Sequence, residues 1–386
     1  MPALQAHEFR ADLGLVQDAI QARIVPGQVK TQDTHWKLWT KFCLSLQCDP
    51  ELPGITDPVP HLQVFAVHYR SGRIAPRHKG VRSRTVEDAL RSVGQTFARL
   101  GAHDIRLNPM GSIDFRIQRQ LRGYKKADPP SHRVKPIPVQ VLLHVLHVAL
   151  TYVGPASACM LATADMITLA FFFLLRPGEY TGNATDDTPF TLADVTLTRG
   201  AHRLFGTRLL TASEADLNAC TGVSLTFTTQ KNGVRGEIIH QGTSGALRFC
   251  PVRATVRRLV ALRQATQNLD TPLASFYKGR RRQYVTAAKI TVALRASTQA
   301  IGLPLGLTPA DISARSLRAS GAMALLCAKV DTDIISLVGR WRSDEMMRYL
   351  HVQAEPIMKG FARRMVAGGQ YNLLTSPTIA EGTPMH

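Results

Sequence analysis

The sequence has 386 residues, a length that corresponds to two or three domains. It contains 47 lysine and arginine residues against 28 aspartate and glutamate residues, which gives a formal net charge of +19. This excess of positive charge indicates a polyanionic partner, nucleic acid first and an anionic membrane surface second. A basic surface that serves solubility alone is disfavoured, because acidic side chains are too few to balance the charge.

The cysteines and the apolar runs exclude several classes of protein. The six cysteines show neither Cys-x-x-Cys spacing nor a paired histidine motif, so neither a zinc site nor any other cofactor is expected. They are typical of reduced thiols in an intracellular protein, and the N-terminus lacks a signal-peptide pattern. The most apolar run, from Cys159 to Leu175, contains Asp165 and is shorter than the ~20 residues that span a bilayer. It predicts a buried core helix and no contact with a membrane.

The first third of the chain predicts helices. Residues 1–25 are expected to form a helical extension, and residues 26–124 a helical DNA-binding domain. In that domain, Thr85 and Asp88 have the spacing of a helix cap, and an apolar stripe follows with helical periodicity. Many cations surround this helix, so we expect the domain to lie against a DNA backbone. The candidate DNA contacts here and just beyond are Arg82, Arg84, Arg91, Arg99, Lys125 and Lys126.

The remainder of the chain predicts a second domain of mixed structure. Residues 125–137 are polar, basic and proline-rich, as is typical of an interdomain linker. Residues 138–366 combine helical periodicity with alternating segments that predict strands, including a hairpin at Asn232-Gly233. Residues 367–386 are expected to be a C-terminal tail. The predicted fold class is therefore α+β, mainly α with a small antiparallel β-sheet.

Four short segments of the second domain carry candidate functional groups. The first ends the apolar helix with Arg176, followed by Glu179, and the second places Lys231 at the predicted hairpin. Taken alone, Arg176 would be interpreted as a helix cap and Lys231 as a solvated turn residue. In the third segment, Arg315 and Arg318 are three residues apart, so they lie on one helical face and can bind one anion.

The fourth segment begins with Gly339-Arg340-Trp341 and continues to Tyr349. Ser343 can cap a short helix that presents Tyr349. Taken alone, this tyrosine would be interpreted as a packing residue near a cationic surface.

In this order, the four segments resemble the tyrosine recombinase (phage integrase) family. That family has an Arg with a Glu three residues later, a hairpin Lys, a His-x-x-Arg pair, a His or Trp after a Gly, and a Tyr about nine residues further on. The blocks around Arg176 and Gly339 look most like recombinases of eukaryotic mobile elements such as Cryptons and DIRS-type elements. The matching positions are Arg176, Glu179, Lys231, Arg315, Arg318, Arg340 or Trp341, and Tyr349.

The resemblance implies a site-specific recombinase that cuts and rejoins DNA through a covalent 3′-phosphotyrosine at Tyr349. A helical core-binding domain and a catalytic domain would close around double-stranded DNA as a two-domain clamp. Arg176 and Arg318 would hold the phosphate oxygens, Glu179 would orient this clamp, and Lys231 would protonate the leaving oxygen. A homotetramer on two DNA sites is also implied, with residues 361–374 or the tail as an element exchanged between protomers.

Two positions depart from the family pattern. Arg315 stands where the family has a histidine, and because an arginine stays protonated it is a poor general base. It is expected to bind phosphate instead. At the following position, Arg340 keeps the family's spacing to Tyr349, whereas Trp341 keeps a residue type that the family uses. Both residues therefore stay candidates.

Three alternatives stay open at this point. The cluster of Arg280, Arg281 and Arg282 is either a DNA contact or a nuclear signal, the latter if the host is a eukaryote. A type IB topoisomerase shares the same chemistry without site specificity. A DNA-binding protein derived from a recombinase is the non-catalytic alternative, and the presence of Arg176, Arg318 and Tyr349 argues against it.

Overall fold

The computed structural model describes Leu15 and residues 26–129, 135–182, 189–228, 236–246, 248–341 and 360–372. The chain divides into two compact units, Met1–Ser131 and His132–His386. About 55% of the structure is helical and a small antiparallel sheet is present, which confirms the predicted α+β class. Among the described helices, none combines the length and the apolar character that a membrane crossing requires.

In the described part of the chain, the first unit consists of four helices. These are α1 (Pro26–Ser45), α2 (Val59–Arg70), α3 (Ser83–Arg99) and α4 (Phe115–Ala127). They enclose an aromatic core in which the Trp39 ring packs edge-on against the rings of Phe65 and Phe97. All three side chains are at most 2% exposed. Burial of an aromatic side chain of this kind stabilises a fold by roughly 1.5–3 kcal/mol.

Helix α3 begins at Ser83, two residues before the Thr85 start that the sequence predicts. The carboxylate of Asp128 accepts hydrogen bonds from the Ser83 backbone N–H at 2.9 Å and from its hydroxyl at 2.6 Å. Arg70 forms an ion pair with the same carboxylate. The Ser83 hydroxyl, followed by Arg70, lowers the pKa of Asp128 to about 2. Asp128 therefore caps α3 from the end of α4, a carboxylate at a helix N-terminus being favourable.

The predicted linker at residues 125–137 extends too far in both directions. Lys125 and Lys126 belong to the last turn of α4. At the other end, the Lys135 ammonium forms an ion pair within the second unit. Ile137 is fully buried, and its backbone N–H donates to a serine hydroxyl of that unit. The composition of this stretch is that of a linker, but both of its ends are bonded into folded structure.

The second unit combines helices with two antiparallel sheets. In chain order its described elements are α5 (Val139–Thr151), α6 (Ser157–Phe172), α7 (Pro177–Tyr180), β1 (Val195–Arg199), β2 (His202–Phe205), α8 (Thr207–Thr211), α9 (Glu214–Ala219), β3 (Gly222–Phe227), β4 (Glu237–Gly242), α10 (Pro251–Arg263), β5 (Ser275–Lys278), β6 (Arg281–Tyr284), α11 (Ala287–Ile301), α12 (Ser316–Cys327), α13 (Thr332–Gly339) and α14 (Phe361–Gly368).

The larger sheet has the strand order β2-β1-β3-β4 and is antiparallel throughout. Its buried face is formed by apolar residues in register, with Val195 opposite Leu225 and Leu225 opposite Ile239. All three are fully buried, so the period-2 pattern of the sequence turns these side chains to the core. The chain between β3 and β4 contains Lys231 and the predicted turn, which lie outside the described residues.

Helix α6 lies at the centre of the second unit and contacts α5, α10, α11, α12 and β5. Its apolar run is buried from Ala162 to Leu175, as expected for a core helix. Gly321 lets α12 approach the end of α6, since a Cβ at this position would lie 2.2 Å from the carbonyl oxygen of Phe171. This close approach brings the first turn of α12 to the carboxyl end of α6.

The described C-terminal residues are part of the second unit. Phe361 and Met365 of α14 are buried in its core, where α14 packs against α12. The Gly369 carbonyl accepts a hydrogen bond from the backbone N–H of Val139 at 2.8 Å. The domain predicted to end at residue 366 therefore continues at least to Gly369, into the predicted tail. Residues 373–386 lie outside the described part.

Candidate anion-binding site

Two helices end beside the first turn of α12, each with a non-glycine residue in the left-handed conformation. Leu174 follows α6 with a φ of 51°, and Arg340 follows α13 with a φ of 57°. After α13, the Arg340 N–H bonds to the Leu337 carbonyl at 2.9 Å and the Trp341 N–H to the Ser336 carbonyl at 3.0 Å. This is the Schellman pattern, in which glycine is usual. The left-handed conformation costs roughly 1–2 kcal/mol, so side-chain contacts must hold Arg340 there.

Arg318, in the first turn of α12, bridges these two helix ends. Its Nη1 donates to the Leu174 carbonyl at 3.0 Å, and its Nη2 donates to the Gly339 carbonyl. The Trp341 ring lies against the guanidinium, with its centroid 4.5 Å from Cζ. A Cβ at Gly339 would lie 1.8 Å from the Trp341 ring, so glycine is what allows the indole to fold over this point. The Arg318 guanidinium is thus held by two carbonyls and one aromatic face.

The side chain of Arg340 points into the protein and is 3% exposed. Its Nη2 donates to the Glu179 carboxylate at 3.0 Å, and its Nη1 donates to the Phe173 carbonyl at 3.2 Å. The Cζ atom lies 4.0 Å from the centroid of the Phe227 ring, at the end of β3. The Nε atom is buried without a hydrogen-bond partner among the described residues. Arg340 is therefore a fully internal cation.

Glu179 joins Arg340 to Arg176. One of its carboxylate oxygens accepts from the Arg176 guanidinium at 3.0 Å, and the other accepts from the Arg176 backbone N–H at 2.7 Å. The next residue, Tyr180, donates its hydroxyl to the Ala314 carbonyl at 2.7 Å, just before α12. These bonds fix α7 against α12, and they leave the Arg176 side chain 31% exposed. We call Arg176, Glu179, Arg318, Arg340 and Trp341 the arginine cluster.

The charges of the arginine cluster are not balanced. Burial, followed by the positive charges of Arg340 and Arg176, lowers the pKa of Arg318 to about 9, and Glu179 acts in the opposite direction. Burial also lowers the pKa of Arg340, against the attraction of Glu179 and Glu237. A pKa lowered in this way means that the cationic form is held at a cost. An anion bound beside Arg318 and the exposed part of Arg176 would relieve that cost.

The structure thus brings Arg176, Glu179, Arg318, Arg340 and Trp341 together from three separate segments of the sequence. It also separates the two candidates for the position after Gly339, because Arg340 is buried whereas Trp341 is 38% exposed over Arg318. Arg315 is exposed at the N-cap of α12, one turn before Arg318. Its side chain makes no described bond to the residues of the arginine cluster. Lys231 and Tyr349 lie outside the described residues.

The candidate DNA contacts outside the cluster are all exposed. They are Arg82, Arg84, Arg91, Arg99, Lys125 and Lys126 in the first unit, and Arg280, Arg281 and Arg282 at the tip of the β5–β6 hairpin. Arg91 forms ion pairs with Glu87 at 3.3 Å and with Asp88 at 3.1 Å. Its charge is therefore partly balanced on α3 itself.

Sequence reasoning missed two contributors to the site. The first is Phe227, which the alternation of β3 predicts only as a core residue, although it directly precedes the segment that contains Lys231. The second is the pair of carbonyls of Phe173 and Leu174, which accept from Arg340 and Arg318. These carbonyls are turned toward the cluster by the left-handed Leu174, and no local pattern indicates that conformation for a leucine.

Among the described residues, no three His, Cys, Asp or Glu side chains are grouped so that they could hold a metal ion. No protein-family model matches the chain, and no curated protein matches it either.

Proposed function

We propose that this protein is a tyrosine-type site-specific DNA recombinase that cuts and rejoins duplex DNA. The observation that carries the proposal is the convergence of Arg176 and Arg318 at one partly exposed site with surplus positive charge. These residues belong to segments 142 positions apart in the sequence, and they meet because α12 packs against the end of α6. Two guanidinium groups at one surface site are suited to bind the oxygens of a phosphate.

In the proposed reaction, Arg176 and Arg318 bind the two non-bridging oxygens of the scissile phosphate. Negative charge grows on these oxygens as the phosphorus is attacked, so prepositioned cations stabilise the transition state more than the ground state. Glu179 holds the Arg176 guanidinium through a 3.0 Å bond, and the Trp341 ring packs against the Arg318 guanidinium. Arg315, exposed one turn before Arg318, would contact the same phosphate or its neighbour.

The remaining roles come from the resemblance to the family. The Tyr349 hydroxyl gives up its proton to water, and its oxygen attacks the phosphorus and forms a 3′-phosphotyrosine while the bond to the 5′-oxygen breaks. Lys231 donates a proton to that 5′-oxygen as it leaves. Because the phosphodiester energy is kept in the covalent intermediate, attack by a 5′-hydroxyl restores a DNA strand without ATP. Double-stranded DNA, a two-domain clamp, a homotetramer on two sites, an intracellular location and a mobile element as the source belong to the same proposal.

A covalent trap tests this proposal. A nicked duplex from the flanks of the encoding element loses a short fragment after cleavage, so that the protein–DNA adduct cannot religate. We expect an adduct without added metal, and we expect it to disappear in Tyr349→Phe. Tyr152→Phe is the matched control, because Tyr152 is a partly exposed tyrosine of the same unit outside the cluster. It should form the adduct as the unchanged protein does.

Two results would contradict the proposal. Tight DNA binding without an adduct would favour a non-catalytic DNA-binding protein derived from a recombinase. An adduct formed on any duplex, together with relaxation of supercoiled DNA, would favour a type IB topoisomerase.

A further inference from the structure

We propose that Arg340 is a positioning residue that acts through Glu179 and Phe227 and does not contact DNA. The inference rests on the proposed recombinase function. It also assigns the position after Gly339 a role inside the protein, with Trp341 left at the surface of the cluster.

The first step is the direction of the Arg340 side chain. It is 3% exposed, and its donors reach Glu179, Phe173, Val338 and Leu174, all of them protein atoms at 3.0–3.3 Å. A phosphate in a DNA backbone would have to displace these bonds to reach the guanidinium. The side chain is therefore placed to organise its neighbours and is closed to a ligand from solvent.

The second step is what Arg340 holds. Through Glu179 it fixes the carboxylate that binds Arg176, because the two oxygens of Glu179 are shared between the two arginines. The position of Arg176 therefore depends on Arg340, although no bond joins these two arginines in the described structure.

The third step is the contact with Phe227. The ring lies 4.0 Å from the Arg340 guanidinium carbon, and Phe190 packs edge-on against the same ring with 4.7 Å between centroids. Phe227 is the last residue of β3, and Lys231 follows four positions later in the sequence. Arg340 also directly follows α13, nine positions before Tyr349. The Arg340 side chain thus lies where three segments of the chain begin or end, those that carry Arg176, Lys231 and Tyr349. The proposed mechanism requires these three residues to be correctly placed relative to one another.

The expected consequence is a loss of rate with little loss of DNA affinity. A displacement of about 1 Å between reacting groups lowers a rate by roughly 10²-fold. We therefore expect Arg340→Met to slow cleavage of the nicked duplex by roughly 10–100-fold under single-turnover conditions. The equilibrium Kd for the same duplex, measured in parallel, should change by no more than about twofold, because no phosphate contact is removed.

Two further substitutions keep the test independent of folding. Arg340→Gly relieves the left-handed backbone and so offsets part of the stability that is lost with the side chain, but it should cleave as slowly as Arg340→Met. Arg340→Lys keeps a cation beside Glu179 and should recover part of the rate. The matched control is Arg258→Met, which removes another buried arginine whose bonds end on carbonyls, those of Leu273 and Ser275. It should lower the stability and leave the rate of the folded fraction unchanged.

A double-mutant cycle identifies the route. If Arg340 acts through Glu179, the double variant Arg340→Met with Glu179→Gln should be no slower than the slower single variant. If the unchanged protein forms an adduct and Arg340→Met cleaves equally fast, the positioning role is wrong while the recombinase function stands. A loss of affinity as large as the loss of rate would also overturn it, in favour of a direct phosphate contact. If the unchanged protein forms no adduct, the proposed function fails and this inference fails with it.

Discussion

In the described part of the second unit two arginines are buried, in two separate places, and they are held in different ways. At the first, Asp165 is fully buried and accepts two hydrogen bonds from Arg257, at 2.8 Å and 2.6 Å. The neighbouring Arg258 is 2% exposed and donates to two backbone carbonyls, one of them of Leu273 at 3.0 Å. We call Asp165, Arg257 and Arg258 the internal cluster. It ties α6 and α10 to β5, and its bonds end within the fold.

The arginine cluster lies partly at the surface. Its carboxylate is shared between two arginines, and Arg318 is bound by carbonyls and covered by Trp341. The comparison shows that a buried arginine is not by itself evidence for a ligand site. What distinguishes the arginine cluster is its larger cationic surplus next to solvent, where an anion can enter: three arginines lie around the one carboxylate of Glu179, whereas two lie around Asp165.

The largest expected effect is on stability. Asp165→Ala leaves Arg257 and Arg258 without their carboxylate and should lower the free energy of unfolding by about 3–5 kcal/mol. Arg176→Met should cost much less, because Arg176 is partly exposed and Glu179 stays paired with Arg340. Urea unfolding at neutral pH measures both values. Equal losses would mean that the two clusters stabilise the fold in the same way, against the distinction drawn from their exposure.

The second effect is on catalysis. Arg318→Ala should slow formation of the covalent adduct by roughly 10²–10³-fold, as loss of one transition-state donor does. DNA affinity should stay nearly unchanged, because the proposed DNA interface contains many other cations. Arg295→Ala is the matched control, since this arginine of the same unit donates to the Ile312 carbonyl away from the cluster. A parallel loss of affinity and rate would make Arg318 a binding residue only.

The third effect is a pH dependence of the unfolding free energy that arises from the internal cluster. Burial raises the pKa of Asp165 to about 6, against the attraction of Arg257 and Arg258. The folded protein therefore holds this proton more tightly than the unfolded chain does. The protonated Asp165 side chain contributes its full stabilisation below pH 3.8, the ordinary pKa of an aspartate. This contribution is lost as the pH rises through 6.

Between pH 5 and pH 7 this loss amounts to about 1 kcal/mol of unfolding free energy. Asp165→Asn cannot titrate, so the difference between its pH profile and that of the unchanged protein isolates the contribution. A difference that stays constant from pH 5 to pH 7 would show that Asp165 is already ionised below pH 5.

The sequence predicts the parts of the fold that depend on local patterns, and it does not predict those that depend on partners far away in the chain. The α+β class, the buried helix from Cys159 and the larger sheet follow from periodicity, which acts locally. The predicted start of α3 at Thr85 is late, because the cap comes from Asp128, 45 residues away from Ser83. The linker was predicted too long because its lysines and prolines carry no information about partners in the folded units, such as the hydroxyl that binds Ile137.

The candidate site was predictable as a set of residues but not as an arrangement. The order of the four segments indicates which residues belong together. It does not distinguish the internal Arg340 from the exposed Trp341, because that difference depends on the left-handed turn after α13. Asp165 was predicted only as an interruption of an apolar run, since its partners on α10 are 92 residues away from it.

The smallest expected effect concerns two surface arginines of the first unit that differ in whether an acidic side chain pairs with them. Arg84 and Arg91 are both exposed on α3, seven positions apart and therefore on one face. Arg91 is paired with Glu87 and Asp88, whereas Arg84 has no acidic partner among the described residues. Arg84→Ala should weaken DNA binding and reduce the slope of log Kd against log salt by about 0.9, the value for one phosphate contact. Arg91→Ala should change the DNA affinity and the salt slope less, because DNA must first displace the carboxylates of Glu87 and Asp88 from Arg91. Equal slopes for the two variants would mean that DNA breaks these ion pairs at little cost, so that pairing in the protein alone does not decide which arginines bind.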